Sequence, residues 1–158
     1  MDDLEKESLI NKLNDVDQQY FRLVLIVGKP ESGKTRALSV LSEKYDVPVT
    51  SVNRALCQQL LDQPEKERKL RASEILGDLV QGMKGDPILL DNTEVLFDPS
   101  LYLNPLKALQ SVSRNKRIVA SWSGEIVDSH LIYAQPDHPE YNRSDIKDLV
   151  YVDLNEKK

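Results

Sequence analysis

The apolar positions of this chain change period several times, and each change marks an element. Leu9, Ile10, Leu13, Val16 and Tyr20 recur at helical spacing, so residues 4–19 are predicted to form an amphipathic helix packed on the core or on a partner. The unbroken apolar run Leu23–Val27 reads as a first strand, and Ala37, Leu38, Leu41 and Tyr45 return to the helical period. Residues 47–53 are rich in β-branched side chains and read as a second strand, with Pro48 near its start. A short helix carrying Leu56, Leu60 and Leu61 is broken before Pro64. A longer one follows, marked by Leu70, Ile75, Leu76, Leu79, Val80 and Met83 and ending around Gly82 and Gly85.

Beyond it, Pro87–Asp91 is a short buried strand that ends in a carboxylate, and Pro105 opens a helix through Leu106, Ala108, Leu109 and Val112. Arg117–Trp122 reads as a fourth strand and Asp148–Leu154 as a fifth. The stretch Gly124–Arg143, with Pro136 and Pro139, is an irregular excursion with room for a short hairpin. Strands alternating with helices predict a three-layer α/β fold with a mainly parallel, five-stranded sheet, whose ligands bind beyond the carboxyl ends of the strands. There is no internal repeat and no low-complexity segment.

With 158 residues the chain is expected to be a single domain. Residues 1–20 form its N-terminal helix and 21–158 its core, long enough to bury about two thirds of its unfolded surface. No apolar stretch approaches the roughly eighteen residues of a bilayer span. The acidic start Met1–Glu7 has no apolar signal region, so a cytoplasmic protein without a membrane partner is expected. Cys57 is the lone cysteine and there are two histidines, which exclude an intrachain disulfide and a zinc cluster; Cys57 reads as core filler.

A net charge of −5 argues against a surface coated for gripping nucleic acid, though two basic stretches remain. One is Arg114-Asn115-Lys116-Arg117. The other, with Lys66, Arg68, Lys69 and Arg71 among Glu65 and Glu67, reads as a solvated helix face with i,i+4 pairs such as Glu67 with Arg71.

Against this ordinary background, Gly28-Lys29-Pro30-Glu31-Ser32-Gly33-Lys34-Thr35, with Arg36 behind it, follows the first strand and spells G-x-x-x-x-G-K-[ST]. A loop that wraps polyphosphate must bring backbone N–H groups close to the oxygens, and a Cβ at the glycines would obstruct it. Lys34 would reach the β- and γ-phosphates, Thr35 would ligate Mg²⁺, and the helix that starts there adds its positive end. This is a Walker A loop in its proper setting, and the fold it predicts is that of the P-loop NTPases.

Ile88-Leu89-Leu90-Asp91 fits the partner motif, in which an apolar strand delivers an aspartate to the metal. The lysine and this acid are expected to meet across adjacent strand ends; the bland alternative is an aspartate that only caps the turn before Asn92. Asn92 stands where many such ATPases carry a glutamate. Asparagine holds a water but cannot take its proton, so either Glu94 substitutes or hydrolysis is slow, and Glu94 reads equally as a base or as a surface acid. Asn53 is either a regulator of the catalytic acid or a helix N-cap. Ser121 and Ser123 flank Trp122 where a polar side chain senses the γ-phosphate, and at most one is expected to point correctly. Arg114 and Arg117 are candidates for fingers on a neighbouring subunit's nucleotide, for nucleic-acid phosphate, or for a solvated loop. Trp122 itself reads as core or interface rather than a stacking platform.

Taken together, Gly28–Thr35, the block Leu89–Pro99, Ser113-Arg114-Asn115, Trp122–Glu125 and His138-Pro139-Glu140-Tyr141 resemble BrxF. That family comprises the small P-loop proteins of type III bacteriophage exclusion (BREX) defence systems. The likeness runs from about Phe21 to Leu154. It implies an ATPase related to the AAA+ group, working beside a methyltransferase and other defence proteins in a bacterial cytoplasm. Gly33, Lys34 and Thr35 carry over as ATP and Mg²⁺ ligands, Asp91 as the metal-side acid, and Arg114 as the better finger. Asn92 departs from the AAA+ pattern. The chain also ends soon after its last predicted strand, without room for the helical lid and its sensor arginine, so ring assembly is less secure than for a full-length AAA+ protein; nucleotide-dependent self-association is expected, with a dimer or a lid-free oligomer open.

Three functions compete on these residues. One is a slow ATPase whose nucleotide state governs assembly with defence partners or DNA. The second is a nucleotide-stabilised scaffold that does not hydrolyse. The third is a small-molecule phosphotransferase, for which only Gly124–Arg143, with Arg143 as its single arginine, could serve as a lid.

Overall fold

The computed structural model describes residues 3–61, 64–98, 101, 103–133, 143–145 and 149–156. Its elements run α1 (Asp3–Asp15), β1 (Leu23–Gly28), α2 (Lys34–Tyr45), β2 (Val49–Ser51), α3 (Val52–Leu61), α4 (Glu65–Gly82), β3 (Ile88–Asp91), α5 (Pro105–Val112), β4 (Ile118–Val127), β5 (His130–Tyr133), β6 (Arg143–Asp145) and β7 (Val150–Asp153). Short 3₁₀ turns cover Val16–Gln18, Thr93–Phe97 and Leu154–Glu156.

The main sheet has the order β2-β3-β4-β1-β7, and every neighbouring pair in it is parallel. Alternate residues of β1 enter two separate cores, which is why its apolar run is unbroken. Leu23, Leu25 and Val27 pack under α3, α4 and α5, whereas Val24 and Ile26 pack under α1 and α2. Helices therefore cover both faces of a mixed α/β domain. The sheet is larger than the expected five strands, because β4 runs on past β1 and pairs antiparallel with β5, which pairs in turn with β6.

The hairpin that makes this extension turns on Asp128 and Ser129, both at positive φ (50° and 62°), the geometry that matches the right-handed twist of paired strands. At its root Gly124 leaves no room for a side chain, since a Cβ there would lie 1.8 Å from the Ile132 carbonyl oxygen. Trp122 is fully buried beside it, edge-on to Phe97 at 4.9 Å and donating from Nε1 to the Ile132 carbonyl. It is a core residue. Pro136, Pro139 and the His138–Tyr141 block lie outside the described residues, as does the start of the fifth predicted strand at Asp148.

The N-terminal helix packs on the domain itself, through Leu9, Leu13 and Val16. It stops at Asp15, so Tyr20 falls outside the apolar stripe to which its spacing assigned it and is 66% exposed. The predicted second strand is also shorter than its β-branched composition suggested. Val52 and Asn53 belong to α3, because the Ser51 hydroxyl accepts the Arg54 N–H and starts the helix there. Among the described residues, no helix is long and apolar enough to cross a membrane.

Candidate functional site

The loop Gly28–Gly33 leaves the carboxyl end of β1 and turns into α2, as the glycine spacing predicts. A Cβ on Gly28 would sit 2.0 Å from Ser32 Oγ, so the cradle closes only on a glycine. Gly33 takes φ 106° and starts α2. Pro30, Glu31 and Arg36 are exposed on the loop and the first helical turn. The Lys29 ammonium reaches Glu125 at 3.5 Å. Ser32 Oγ is buried beside Gly28 with no hydrogen-bond partner in the protein.

Lys34 is only 8% exposed, and its ammonium donates to the Gly28 carbonyl at 2.8 Å and the Lys29 carbonyl at 2.9 Å. Burial lowers its pKa below the usual 10.5, opposed by the attraction of Glu94 and, after it, Asp91. The ammonium is thus buried against carbonyl oxygens, with two carboxylates near enough to feel its charge. Next to it, Thr35 Oγ1 donates to Asp91 Oδ2 at 2.7 Å. The other Asp91 oxygen accepts the Asn92 N–H at 2.9 Å.

Asp91 acts on the Lys34 charge, but the residue that touches the acid is Thr35, and the approach is not across adjacent strand ends. β4 lies between β1 and β3. Contact is made instead by α2, which packs over β1, β4 and β3 and carries Thr35 to Asp91 on its first turn. Asn92 adopts the left-handed conformation (φ 51°) and its side-chain amide donates to Ser51 Oγ at 3.1 Å. Glu94 is brought into the site: it accepts a hydrogen bond from the Ser123 hydroxyl of β4 and acts on the Lys34 charge. Asn53, by contrast, is exposed on α3, receives the Cys57 thiol, and is neither an N-cap nor a partner of Glu94. Cys57 is half-buried there rather than core filler.

Ser121 and Ser123 lie on one face of β4, since alternate residues of a strand share a face, and that face is the one Val119 turns toward α2. Ser123 stands at the rim with Glu94. Ser121 is deeper, 1% exposed, and its hydroxyl has no partner in the protein.

The arginines and their neighbours are elsewhere. Arg114 precedes β4 and so stands at the amino edge of the parallel sheet, the edge opposite the glycine loop, with its guanidinium over the Tyr20 ring at 4.9 Å. Arg117 is bound by Asp86 at 2.8 Å and Asp17 at 3.7 Å; the Asp86 hydrogen bond is the main reason its pKa is raised further. Lys116 donates to the carbonyls of Val80, Gln81 and Met83 and caps the end of α4. Of the first basic stretch, Lys116 and Arg117 are therefore committed within the fold. In the second stretch Arg71 pairs with Glu74 at 3.4 Å, while the side chains of Lys66, Glu67, Arg68 and Lys69 lie outside the described residues, as does that of Arg143.

One residue carried no motif and was not singled out in the sequence. Asn155, in the turn after β7, accepts the Lys29 N–H at 3.0 Å and donates to the Gly124 carbonyl at 2.9 Å. No protein-family model, no curated protein and no solved structure matches the chain.

Proposed function

We propose that this protein is a P-loop nucleotide-binding ATPase with an AAA+-like core, which binds ATP with Mg²⁺ at the Gly28–Thr35 loop and hydrolyses it slowly. The observation that carries this reading is the buried Lys34 ammonium, held on loop carbonyls one residue before the Thr35–Asp91 hydrogen bond. The residues suit the ligand. The Gly28 cradle would be filled by a Cβ, Ser32 Oγ has no protein partner, and a hydroxyl and a carboxylate already share a bond of the kind a hard cation inserts into.

Lys34 and the loop N–H groups would hold the triphosphate, and Thr35 with Asp91 would hold the metal. Bound Mg²⁺·ATP supplies the scissile phosphoryl group and the divalent charge that offsets it. Glu94, oriented by the Ser123 hydroxyl, is the group able to take a proton from a water in this site. Asn92 can only orient one, and its amide is engaged by Ser51, which supports slow turnover.

The resemblance to BrxF supports a place among BREX defence proteins in a bacterial cytoplasm, with nucleotide state governing self-association or assembly with those partners. Arg114, remote from the loop of its own chain, suits action on a neighbouring subunit. Calorimetric titration with Mg²⁺·ATP tests the central claim. Wild type binds and Lys34→Ala loses at least tenfold in affinity, about 1.4 kcal/mol; absence of binding at millimolar ATP, or an unaffected variant, overturns it. Light scattering with and without Mg²⁺·ATP tests assembly.

The commitment of Asn92 to Ser51 equally favours a second reading, a nucleotide-stabilised scaffold without turnover. Glu94→Gln separates the two: it abolishes phosphate release if Glu94 is the base, and changes no function of a scaffold.

A further inference from the structure

The turn after β7 reaches across the end of β1. Asn155 belongs to that turn, and its own N–H is held by Asp153 Oδ1 at 2.9 Å, which fixes where its side chain starts. From there the side-chain oxygen accepts the Lys29 N–H and the side-chain nitrogen donates to the Gly124 carbonyl. We infer that Asn155 is a positioning residue of the glycine loop, clamping Lys29 to β4 at Gly124.

The chemistry singles out asparagine. One contact requires an acceptor and the other a donor on the same short side chain, which aspartate, leucine and alanine cannot supply. Gly124 is also the point at which β4 changes partner from β1 to β5, and where a Cβ would meet the Ile132 carbonyl, so the clamp joins the loop to closely packed backbone. Lys29 is thus gripped at both ends of its backbone, by Asn155 at its N–H and by the Lys34 ammonium at its carbonyl. The Ser32 N–H also donates to that carbonyl at 3.1 Å, a bond within the loop, so an anion that draws Lys34 away leaves Asn155 as the tie between Lys29 and β4. The ion pair of Lys29 with Glu125 is a weaker tie, because both side chains are well exposed (63% and 39%).

The affinity part of this inference rests on the nucleotide reading above; the ordering of the loop does not. Hydrogen–deuterium exchange on the nucleotide-free full chain therefore comes first. Asn155→Ala is expected to speed exchange at Ser32, whose N–H holds the Lys29 carbonyl, as well as at Lys29, while Glu125→Gln, which removes only the ionic tie, leaves those amides as in wild type. Asn155→Leu, of nearly the same volume, carries the same test where alanine fails to fold. Titration with Mg²⁺·ATP is the second arm, in which the Asn155 variants bind about tenfold more weakly, with KM raised and kcat little changed. Loop exchange unchanged in both Asn155 variants, or accelerated equally by Glu125→Gln, overturns the clamp. A wild type that binds no nucleotide while its Asn155 variants show a loosened loop sinks the nucleotide reading and leaves the clamp standing.

Discussion

Thr35 Oγ1 lies 2.7 Å from Asp91 Oδ2, although β4 separates the strand that leads into the loop from the strand that ends at the acid. The bond is charge-assisted and couples the first turn of α2 to the end of β3. In the absence of any ligand, Thr35→Ala and Asp91→Asn are each expected to destabilise the protein. A double-mutant cycle in urea should give a coupling of about 1–2 kcal/mol, with Thr35→Ser retaining most of it. Strict additivity of the two changes would contradict the contact.

The cradle makes a steric prediction. Gly28→Ala places a methyl group 2.0 Å from Ser32 Oγ and 2.9 Å from Ser32 Cβ, so the loop must deform. Nucleotide binding should be lost. Adding Ser32→Gly removes both obstructing atoms, and binding by the double variant should partly recover in the same titration. A Gly28→Ala protein that binds normally would show that the loop is not the site.

Lys34 gives stability a pH dependence whose sign is fixed. Burial lowers its pKa, so between that lowered value and 10.5 the unfolded chain holds more protons than the folded one, and stability rises with pH through this window. Lys34→Met removes the contribution. Urea unfolding at stepped pH should show wild type gaining on the variant across the window, with a flat difference below it.

The amino edge of the sheet is predicted to be structural. Lys116→Ala uncaps α4 and Arg117→Met frees Asp86, each at a cost of about 1 kcal/mol measured by thermal or urea unfolding. Arg114→Ala, touching only the exposed Tyr20 ring among the contacts described, should change stability by no more than about 0.5 kcal/mol. Salt-dependent retention of duplex DNA should be insensitive to Lys116→Ala.

Much of the architecture was legible in the residues because periodicity is a local property. The run Leu23–Val27, the run Ile88–Asp91 and the Pro105 helix start lie within a residue of their expected bounds, and the Gly28–Thr35 loop sits between strand and helix as its spacing required. The misplacements arose where two local signals competed. Residues 47–53 had β-branched composition, but the Ser51 cap ended the strand early. Tyr20 had helical spacing, but the helix had already stopped.

The chain by itself determined the alternation of elements, the glycine loop, and the carboxylate at the end of an apolar strand, each of which follows from neighbours in sequence. Only the tertiary structure decided that β4 separates β1 from β3, that Ser123 holds Glu94, that Lys116 and Arg117 are spent on α4 and Asp86, and that Asn155 grips the loop. Those contacts join residues far apart in the chain, and strand order leaves no periodic trace in the elements it arranges. A lone asparagine after a strand is likewise an ordinary turn residue until the fold brings Lys29 and Gly124 to its two ends.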